Sequence, residues 1–309
     1  MMSTKQIPMK NGVGASCVVI SALPVADMTV LDYFSQRFEH VSLAQWQQRF
    51  EQGEVVDAQA QAILPNALLA DFLTQKIFYY RHVPNEVAIP FEASIVYENE
   101  HIVVADKPHF LPVMPGGQYL HETLLVRLRM QLNYPDLTPV HRIDRETAGL
   151  VLLVKNASVR GAYQALFRER LVEKQYEAIA KWRPEYHFPF EHASRLAENG
   201  DFFRMAEVEG MANATTILDV LQHNDEWAHY VLKPITGKRH QLRVHMAALG
   251  MPILNDGFYP QAKPMSMQDY AQPLQLLAKK MAFIDPVTQE KFDFYSQLSL
   301  WNIHEIYLT

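Results

Sequence analysis

The first ninety residues carry two amphipathic helical patterns followed by short extended runs. Apolar side chains recur at helical spacing through VLDYFSQRF, which predicts a helix capped by Thr29. SLAQWQQRFEQ predicts a second helix that begins after Ser42 and stops at Gly53. Residues 55–56 and 76–80 are β-like, and the proline-containing stretch RHVPNEVAIPFEA predicts a linker.

From Ala93 onward the apolar runs become longer. ASIVYENEHIVVADKP predicts two strands around a turn, HETLLVRLRMQLN an amphipathic helix and GLVLLVKN a buried strand. SVRGAYQALFRERLV predicts a helix capped by Ser158, and KRHQLRVHMAALG predicts one that ends at Gly250. KQYEAIAKW, NATTILDVLQHN and WAHYVLKPI predict antiparallel strands. Because strands and helices do not alternate strictly, we predict an α+β fold rather than a doubly wound one.

Composition narrows the class of protein. A length of 309 residues suits one large domain with a small companion, and a single cysteine, Cys17, allows no intrachain disulfide and indicates a reducing compartment. The longest apolar runs are too short to cross a membrane, and we interpret residues 15–25 as mature sequence because Ser21 and Pro24 interrupt them. The formal net charge of −6, taken alone, argues against a polyanionic partner.

The distribution of charge changes that picture. Residues 141–183 carry a net +4, residues 233–243 carry another +4, and the rest of the chain is therefore at −14. The excess of acidic residues therefore lies in the remainder of the chain, including residues 1–93, which hold six basic and nine acidic residues. We expect a confined basic cleft whose affinity for a polyanion falls with salt.

The most informative motif is HRIDRETAG, residues 141–149, which lies directly before the buried strand. Its Asp144 is flanked by Arg142 and Arg145, and neighbouring cations favour the ionised form of a carboxylate. An ionised carboxylate presented at a strand end can act as a base, a nucleophile or an electrostatic stabiliser. The alternative interpretation is a salt-bridged surface turn, because charged turns are common.

Two other chemistries fit the sequence poorly. A protein-kinase catalytic loop would place the aspartate one position earlier and would need a following asparagine and a glycine-rich loop. A zinc site has little support, because His240 and His245 are five residues apart and no HExxH pattern occurs. We therefore expect no metal and interpret a histidine in this helix as a hydrogen-bonded structural residue.

HRIDRETAG resembles the signature of the RluA-type pseudouridine synthases, which reads His-Arg-Leu-Asp, two variable residues, then Thr-Ser-Gly. VVADKPHFLPVMP, KQYEA, and TGKRHQLRVH with ALGMPILNDGFYP resemble three further motifs of that family, in the family's order. The likeness spans roughly residues 91–294. Ile143 and Ala148 replace the usual Leu and Ser and leave the aspartate in place, and LQLLAKKMAFIDP lacks a histidine that the family usually has.

The resemblance implies isomerisation of uridine to pseudouridine in RNA, without a cofactor. It implies that Asp144 attacks the ribose or the uracil ring and that Arg243 pairs with Asp144. It also implies that Tyr176 packs against the target base, with assistance in removing the proton from ring carbon 5 as a further role. From residue type alone, Arg243 could be a solvated helix residue and Tyr176 a core aromatic. A glycosidase would need a second carboxylate, for which Glu146 is the nearest in sequence. A non-catalytic RNA-binding protein would be expected to lose Asp144.

We predict five RNA-contacting residues from their charge, their position and the resemblance: Lys107, His141, Arg142, Lys238 and Arg239. Arg142 would fill the gap left by a flipped base, or would form a salt bridge to Glu146. His141 would contact RNA or anchor its loop, and Lys107 would contact phosphate or be a solvated loop lysine.

Residues 1–90 resemble, more weakly, the small RNA-binding domain named after ribosomal protein S-four, although this version is acidic. Either it has lost direct RNA binding, or it positions the substrate by shape. Residues 91–309 would form the catalytic domain, with a mixed, mainly antiparallel sheet flanked by helices and loops. We expect a cytoplasmic monomer that acts on ribosomal or transfer RNA and has no membrane partner.

Overall fold

The computed structural model describes residues 7–198, 200, 204–263 and 269–306. Within these ranges the chain forms two compact units: residues 7–86 with 115–121, and residues 87–114 with 122–306. The sequence-based boundary at residue 90 lies near this division, whereas the short segment 115–121 belongs to the first unit. No helix in the described part of the chain is long and apolar enough to cross a membrane.

The first unit packs two helices against a small antiparallel sheet of order β1-β3-β2. Its elements are β1 (Ser16–Val19), α1 (Val30–Arg37), α2 (Leu43–Glu51), β2 (Val55–Val56) and β3 (Lys76–Tyr79), with a 3-10 turn at Leu69–Phe72. Thr29 and Ser42 each form a capping box, which confirms both predicted helix starts. Phe34 and Trp46 pack edge to face at 4.9 Å in its core, so this unit has a hydrophobic centre of its own.

The second unit is built on a large sheet of order β10-β9-β11-β12-β8-β13-β7-β5-β4, with β14 beside β13 and β6 beside β7. Its elements are β4 (Ser94–Glu98), β5 (Ile102–Lys107), α3 (Leu124–Leu132), β6 (Thr138–Pro139), β7 (Ala148–Val154), α4 (Ala157–Arg168), β8 (Glu173–Lys181), β9 (Phe190–Glu198), β10 (Met205–Val208), β11 (Ala214–His223), β12 (Trp227–Pro234), α5 (Gln241–Ala248), β13 (Leu276–Ile284) and β14 (Lys291–Tyr295). Among the described strands only β7 and β13 pair in parallel. The predicted α+β class with a mixed, mainly antiparallel sheet is confirmed.

Two predicted helix boundaries need correction. Helix α4 begins at Ala157, so its N-cap is Asn156 and the predicted cap, Ser158, lies inside the first turn. The Asn156 side chain makes no capping bond and instead donates to the Glu100 carbonyl at 3.3 Å. Helix α5 begins at Gln241, three residues after the predicted run KRHQLRVHMAALG starts, and ends at Ala248. Gly250 follows its C-cap, Leu249, with a φ of +73°, so the predicted glycine stop is confirmed.

The register of the three central strands places the motif loop beside β8. On β13, Ala278 pairs with Gly149 of β7 on one side and with Tyr176 of β8 on the other. Gly149 has a φ of +112°, and a Cβ there would overlap the Ala278 carbonyl and lie 2.7 Å from the Ala278 nitrogen. Glycine at the end of HRIDRETAG is therefore what lets β13 approach and align the motif with Tyr176.

Replacing Gly149 with alanine should strain this junction. Both the positive φ and the backbone overlap must be relieved, so Gly149→Ala should lower the free energy of unfolding by about 2–3 kcal/mol. Urea denaturation measures this value. Gly161→Ala is the matched control, because a Cβ on this helical glycine would meet no atom within 4 Å and should stabilise by up to about 1 kcal/mol. Equal effects of the two substitutions would contradict the role given to Gly149.

Candidate active site

The loop that carries Asp144 is fixed to the strand that follows it. The Thr147 amide donates to the Asp144 carbonyl at 3.2 Å. His141 accepts a bond from the Leu152 amide through Nε2 at 3.0 Å and stacks on Phe167 at 4.4 Å. Burial, with a smaller contribution from nearby positive charge, lowers the pKa of His141 to about 3, so the ring is neutral and able to accept. His141 therefore anchors the loop, which is the second of its two predicted roles.

Arg243 reaches this loop from helix α5. Its buried guanidinium donates to both oxygens of Asp256, from Nε at 2.8 Å and from Nη2 at 2.7 Å. The remaining nitrogen, Nη1, lies 3.3 Å from Oδ2 of Asp144. Burial alone would lower the pKa of Arg243, but the bonds and charges of Asp256, Asp144 and Glu146 raise it above its ordinary value. The permanently charged guanidinium of Arg243 thus fixes the orientation of the Asp144 carboxylate.

A second carboxylate, Glu146, lies near the same nitrogen. Its Oε2 is 3.8 Å from Arg243 Nη1, and its Oε1 is 3.2 Å from Arg145 Nη1. The Glu146 side chain is 14% exposed, against 22% for Asp144, and only Asp144 belongs to the wall of the adjoining cavity. Asp144 is therefore the carboxylate that an incoming substrate can reach.

The cavity above Asp144 has a volume of about 600 Å³ and a strongly basic wall. Six lysines and arginines line it: Arg142, Arg168, Arg170, Lys174, Lys238 and Arg243. Among the described residues of the wall, Asp144 is the only acid. The sequence-based expectation of a confined basic cleft therefore has a physical counterpart around the motif loop.

Tyr176 lines the same cavity from the centre of the sheet. Burial, reinforced by the charge of Asp144, raises the pKa of the Tyr176 hydroxyl well above its ordinary value. The phenol consequently stays protonated at neutral pH. It offers a ring face and a hydrogen-bond donor beside Asp144.

The other predicted RNA contacts differ in how accessible they are. Arg142 and Lys238 are exposed at the cavity wall, and Arg142 makes none of the described ion pairs, so its predicted salt bridge to Glu146 is absent from the described structure. Arg239 lies outside the wall and contacts Glu198 at 3.4 Å. Arg142 and Lys238 are thus the predicted contacts that are both exposed and part of the cavity wall.

Lys107 is not available for the predicted phosphate contact. Its side chain is fully buried, and its Nζ donates to the carbonyls of Pro108 at 2.9 Å and Arg145 at 3.2 Å. Both sequence-based interpretations of Lys107 assumed an exposed side chain, and both are corrected. It ties the end of β5 to the loop of Asp144.

The burial of Lys107 predicts a pH dependence of stability. Burial lowers the pKa of its ammonium to about 7, although the charges of Glu146 and Asp144 act in the opposite direction. An unfolded lysine titrates near pH ~10.4, so between these values the unfolded chain binds more protons at this site. The free energy of unfolding contributed by Lys107 therefore rises with pH across that window and falls as pH drops through about 7.

Comparison with Lys107→Met isolates this effect, because the other titrating groups cancel in the difference. The free energy of unfolding of the parent minus that of the variant should grow by at least about 1 kcal/mol from pH ~7 to pH ~9. Urea unfolding at the two pH values measures it. A difference that stays constant or shrinks would contradict the depressed pKa.

Four contributors to the site escaped the sequence analysis. Asp256 holds two of the three guanidinium nitrogens of Arg243, and Arg168, Arg170 and Lys174 add positive charge to the cavity wall. Asp256 does lie in NDGFYP, within one of the quoted motifs, but no spacing rule ties it to Arg243. Lys174 could have been noted from its place two residues before Tyr176, since alternate strand residues share a face.

Comparisons with known proteins match this part of the chain. A family model described as RNA pseudouridylate synthase matches residues 101–248. The dual-specificity RNA pseudouridine synthase RluA of Salmonella typhi is 35% identical over 205 residues, covering 65% of this chain and 90% of that protein. Its Escherichia coli counterpart is 37% identical over 179 residues, covering 56% and 80%.

A solved structure agrees with these matches. Human RNA pseudouridylate synthase domain containing 1 superposes with a TM-score of 0.55 and 25% identity, covering 67% of this chain and 84% of that one. The segment matched by the family model includes Asp144, Tyr176 and Arg243.

Proposed function

This chain belongs to the RluA-type family of RNA pseudouridine synthases, and on that premise we propose that it isomerises a uridine in structured RNA with Asp144 as the nucleophile. The observation that carries the proposal is the 3.3 Å contact between Asp144 and Arg243 at the wall of a basic cavity. A carboxylate directed by a buried cation can form a covalent intermediate and so divide one difficult step into two.

The reaction requires no external electrons or energy source. The bond between ring nitrogen 1 and the anomeric carbon breaks, the uracil turns, and ring carbon 5 bonds to the anomeric carbon. Carbon 5 then loses its proton, and nitrogen 1 gains one. Attack of Asp144 on the anomeric carbon or on the uracil ring would each leave these bonds balanced, and in both routes Arg243 orients the carboxylate.

The neighbouring residues have roles that follow from their surroundings. A protonated Tyr176 supports packing against the uracil face rather than removal of the proton from carbon 5. Arg142, which is exposed and has no described ion pair, would fill the stack that the flipped uridine leaves. Lys174 and Lys238 would contact phosphates next to the target.

A variant that removes one positive charge from the cavity wall tests whether RNA binds there. Lys238→Gln should weaken RNA binding several-fold and reduce the slope of log affinity against log salt by about 1. Lys233→Gln is the matched control, since Lys233 is exposed and does not line the cavity. Filter binding of total cellular RNA across a salt series gives both values. The same loss in the two variants would show only a general effect of net charge.

The remaining parts of the proposal concern substrate and setting. We propose ribosomal or transfer RNA as the substrate, a monomeric enzyme in the cytoplasm, and an S-four-like N-terminal unit that positions RNA by shape. Mapping pseudouridines in total RNA from a deletion strain and its parent tests the substrate class. A missing site that returns on complementation identifies the target, whereas an unchanged map would contradict the proposed activity.

A further inference from the structure

A second cluster of functional groups lies outside the cavity and plays no part in the proposed reaction. His192 on β9, Glu207 on β10 and His245 on α5 bring one ligand atom each to within 4.8 Å of one another. His192 Nε2 is 2.7 Å from Glu207 Oε1, and His245 Nε2 is 4.0 Å from the same oxygen. Two imidazoles and a carboxylate form a donor set that zinc prefers.

The buried member of the cluster has its orientation set by neighbours. Nδ1 of His245 lies 3.0 Å from the Thr216 hydroxyl, which also accepts from the Gln241 side chain at 3.0 Å. Nε2 faces the Ser194 hydroxyl at 3.2 Å, on the side of Glu207. A hydrogen bond to one ring nitrogen that turns the other toward the ion is the usual outer support of a histidine ligand.

A histidine–carboxylate hydrogen bond would account for His192 and Glu207 without a metal, and the hydroxyls of Thr216 and Ser194 lie within hydrogen-bond distance of the two ring nitrogens of His245. His229 and Glu177 form such a pair at 3.1 Å on the same sheet, and no third ligand joins them in the described structure. At the cluster, by contrast, the fully buried imidazole of His245 lies 4.0 Å from the Glu207 oxygen that already contacts His192. The third ligand is the feature that distinguishes a metal site from a surface ion pair.

We propose that His192, Glu207 and His245 bind one Zn²⁺ ion. Ligand atoms around a tetrahedral zinc at ~2.1 Å lie about 3.4 Å apart, within the range spanned by the present contacts. His192 and Glu207 keep 21% and 26% of their side-chain surface exposed, so water can occupy the fourth position. The side chains need only small movements to close around the ion.

The position of the site suggests a structural use. It would join strands β9 and β10 to helix α5, two residues beyond Arg243 along that helix. An ion that binds only the folded chain stabilises it by an amount that grows with the logarithm of the free ion concentration once that concentration exceeds Kd. Because the uridine chemistry does not pass through this cluster, the zinc proposal and the proposed function can fail independently.

Metal titration of the full-length, chelator-treated protein tests the site. Isothermal calorimetry should show one Zn²⁺ per chain, Zn²⁺ should raise Tm, and Co²⁺ substitution should give the absorption of a four-coordinate site. His192→Gln and Glu207→Gln should each weaken binding at least about tenfold. His229→Gln and Cys17→Ser are controls, because the first belongs to the two-residue pair and the second removes the single thiol.

The proposal is overturned by the absence of saturable binding to the parent protein. It is equally overturned if both His192→Gln and Glu207→Gln bind like the parent, or if Cys17→Ser abolishes binding. Circular dichroism checks that the variants fold. If one of them does not, the other variant decides whether the bound ion belongs to this cluster.

Discussion

Asp144→Asn should reduce pseudouridine formation by at least about 10³-fold. The amide keeps the shape and the contact with Arg243, but it removes the nucleophilic charge. RNA affinity should not fall, since the cations of the cavity wall remain and a negative charge facing a polyanion has been deleted. Release of tritium from RNA labelled at uridine ring carbon 5 measures the reaction, with total RNA from the deletion strain as substrate.

Two further variants make this expectation specific. Asp225→Asn applies the same change to an exposed turn residue outside the cavity and should leave the rate unchanged. Glu146→Gln alters the second carboxylate near Arg243, which is less exposed and does not line the cavity. If Glu146→Gln stopped the reaction while Asp144→Asn retained near-normal turnover, the nucleophile would be Glu146.

Local signals in the sequence predicted much of the fold. The capping boxes at Thr29 and Ser42 are complete within four residues, so the helix starts can be identified without tertiary information. Strand β13 escaped prediction because LLAKKMAFI interrupts its apolar run with two lysines. Lys279 resolves the conflict by donating to the Ser296 and Leu298 carbonyls, contacts that exist only once the chain has folded.

The same distinction between local signals and long-range contacts applies to the residues of the candidate site. HRIDRETAG pointed to Asp144, but its partner Arg243 is 99 residues away and was identified only through the resemblance to a family. For Lys107 the sequence-based prediction of an exposed side chain was wrong. A lysine in a polar loop is normally solvated, and nothing in the neighbouring sequence indicates that two carbonyls accept hydrogen bonds from it. Chemistry carried by a contiguous motif can be predicted, whereas burial and long-range pairing depend on the sheet register.

Arg243→Gln should cost both activity and stability. The Asp256 side chain is 1% exposed and loses the guanidinium that satisfies both of its oxygens. Removing one partner of a buried ion pair leaves an uncompensated charge, so the free energy of unfolding should fall by about 3–5 kcal/mol. Asp144 also loses its orienting cation, and turnover should drop by at least about 10²-fold. Urea denaturation and tritium release measure the two effects.

The double variant Arg243→Gln/Asp256→Asn separates these two consequences. With both charges of the buried pair removed, the free energy of unfolding should recover by about 2 kcal/mol relative to Arg243→Gln alone. Activity should not recover, because Asp144 still lacks a cation 3.3 Å away. Recovery of both would mean that Arg243 acts only by neutralising Asp256 and that Asp144 needs no directing charge. Recovery of stability alone would show that one guanidinium stabilises helix α5 through Asp256 and directs the nucleophile through Asp144.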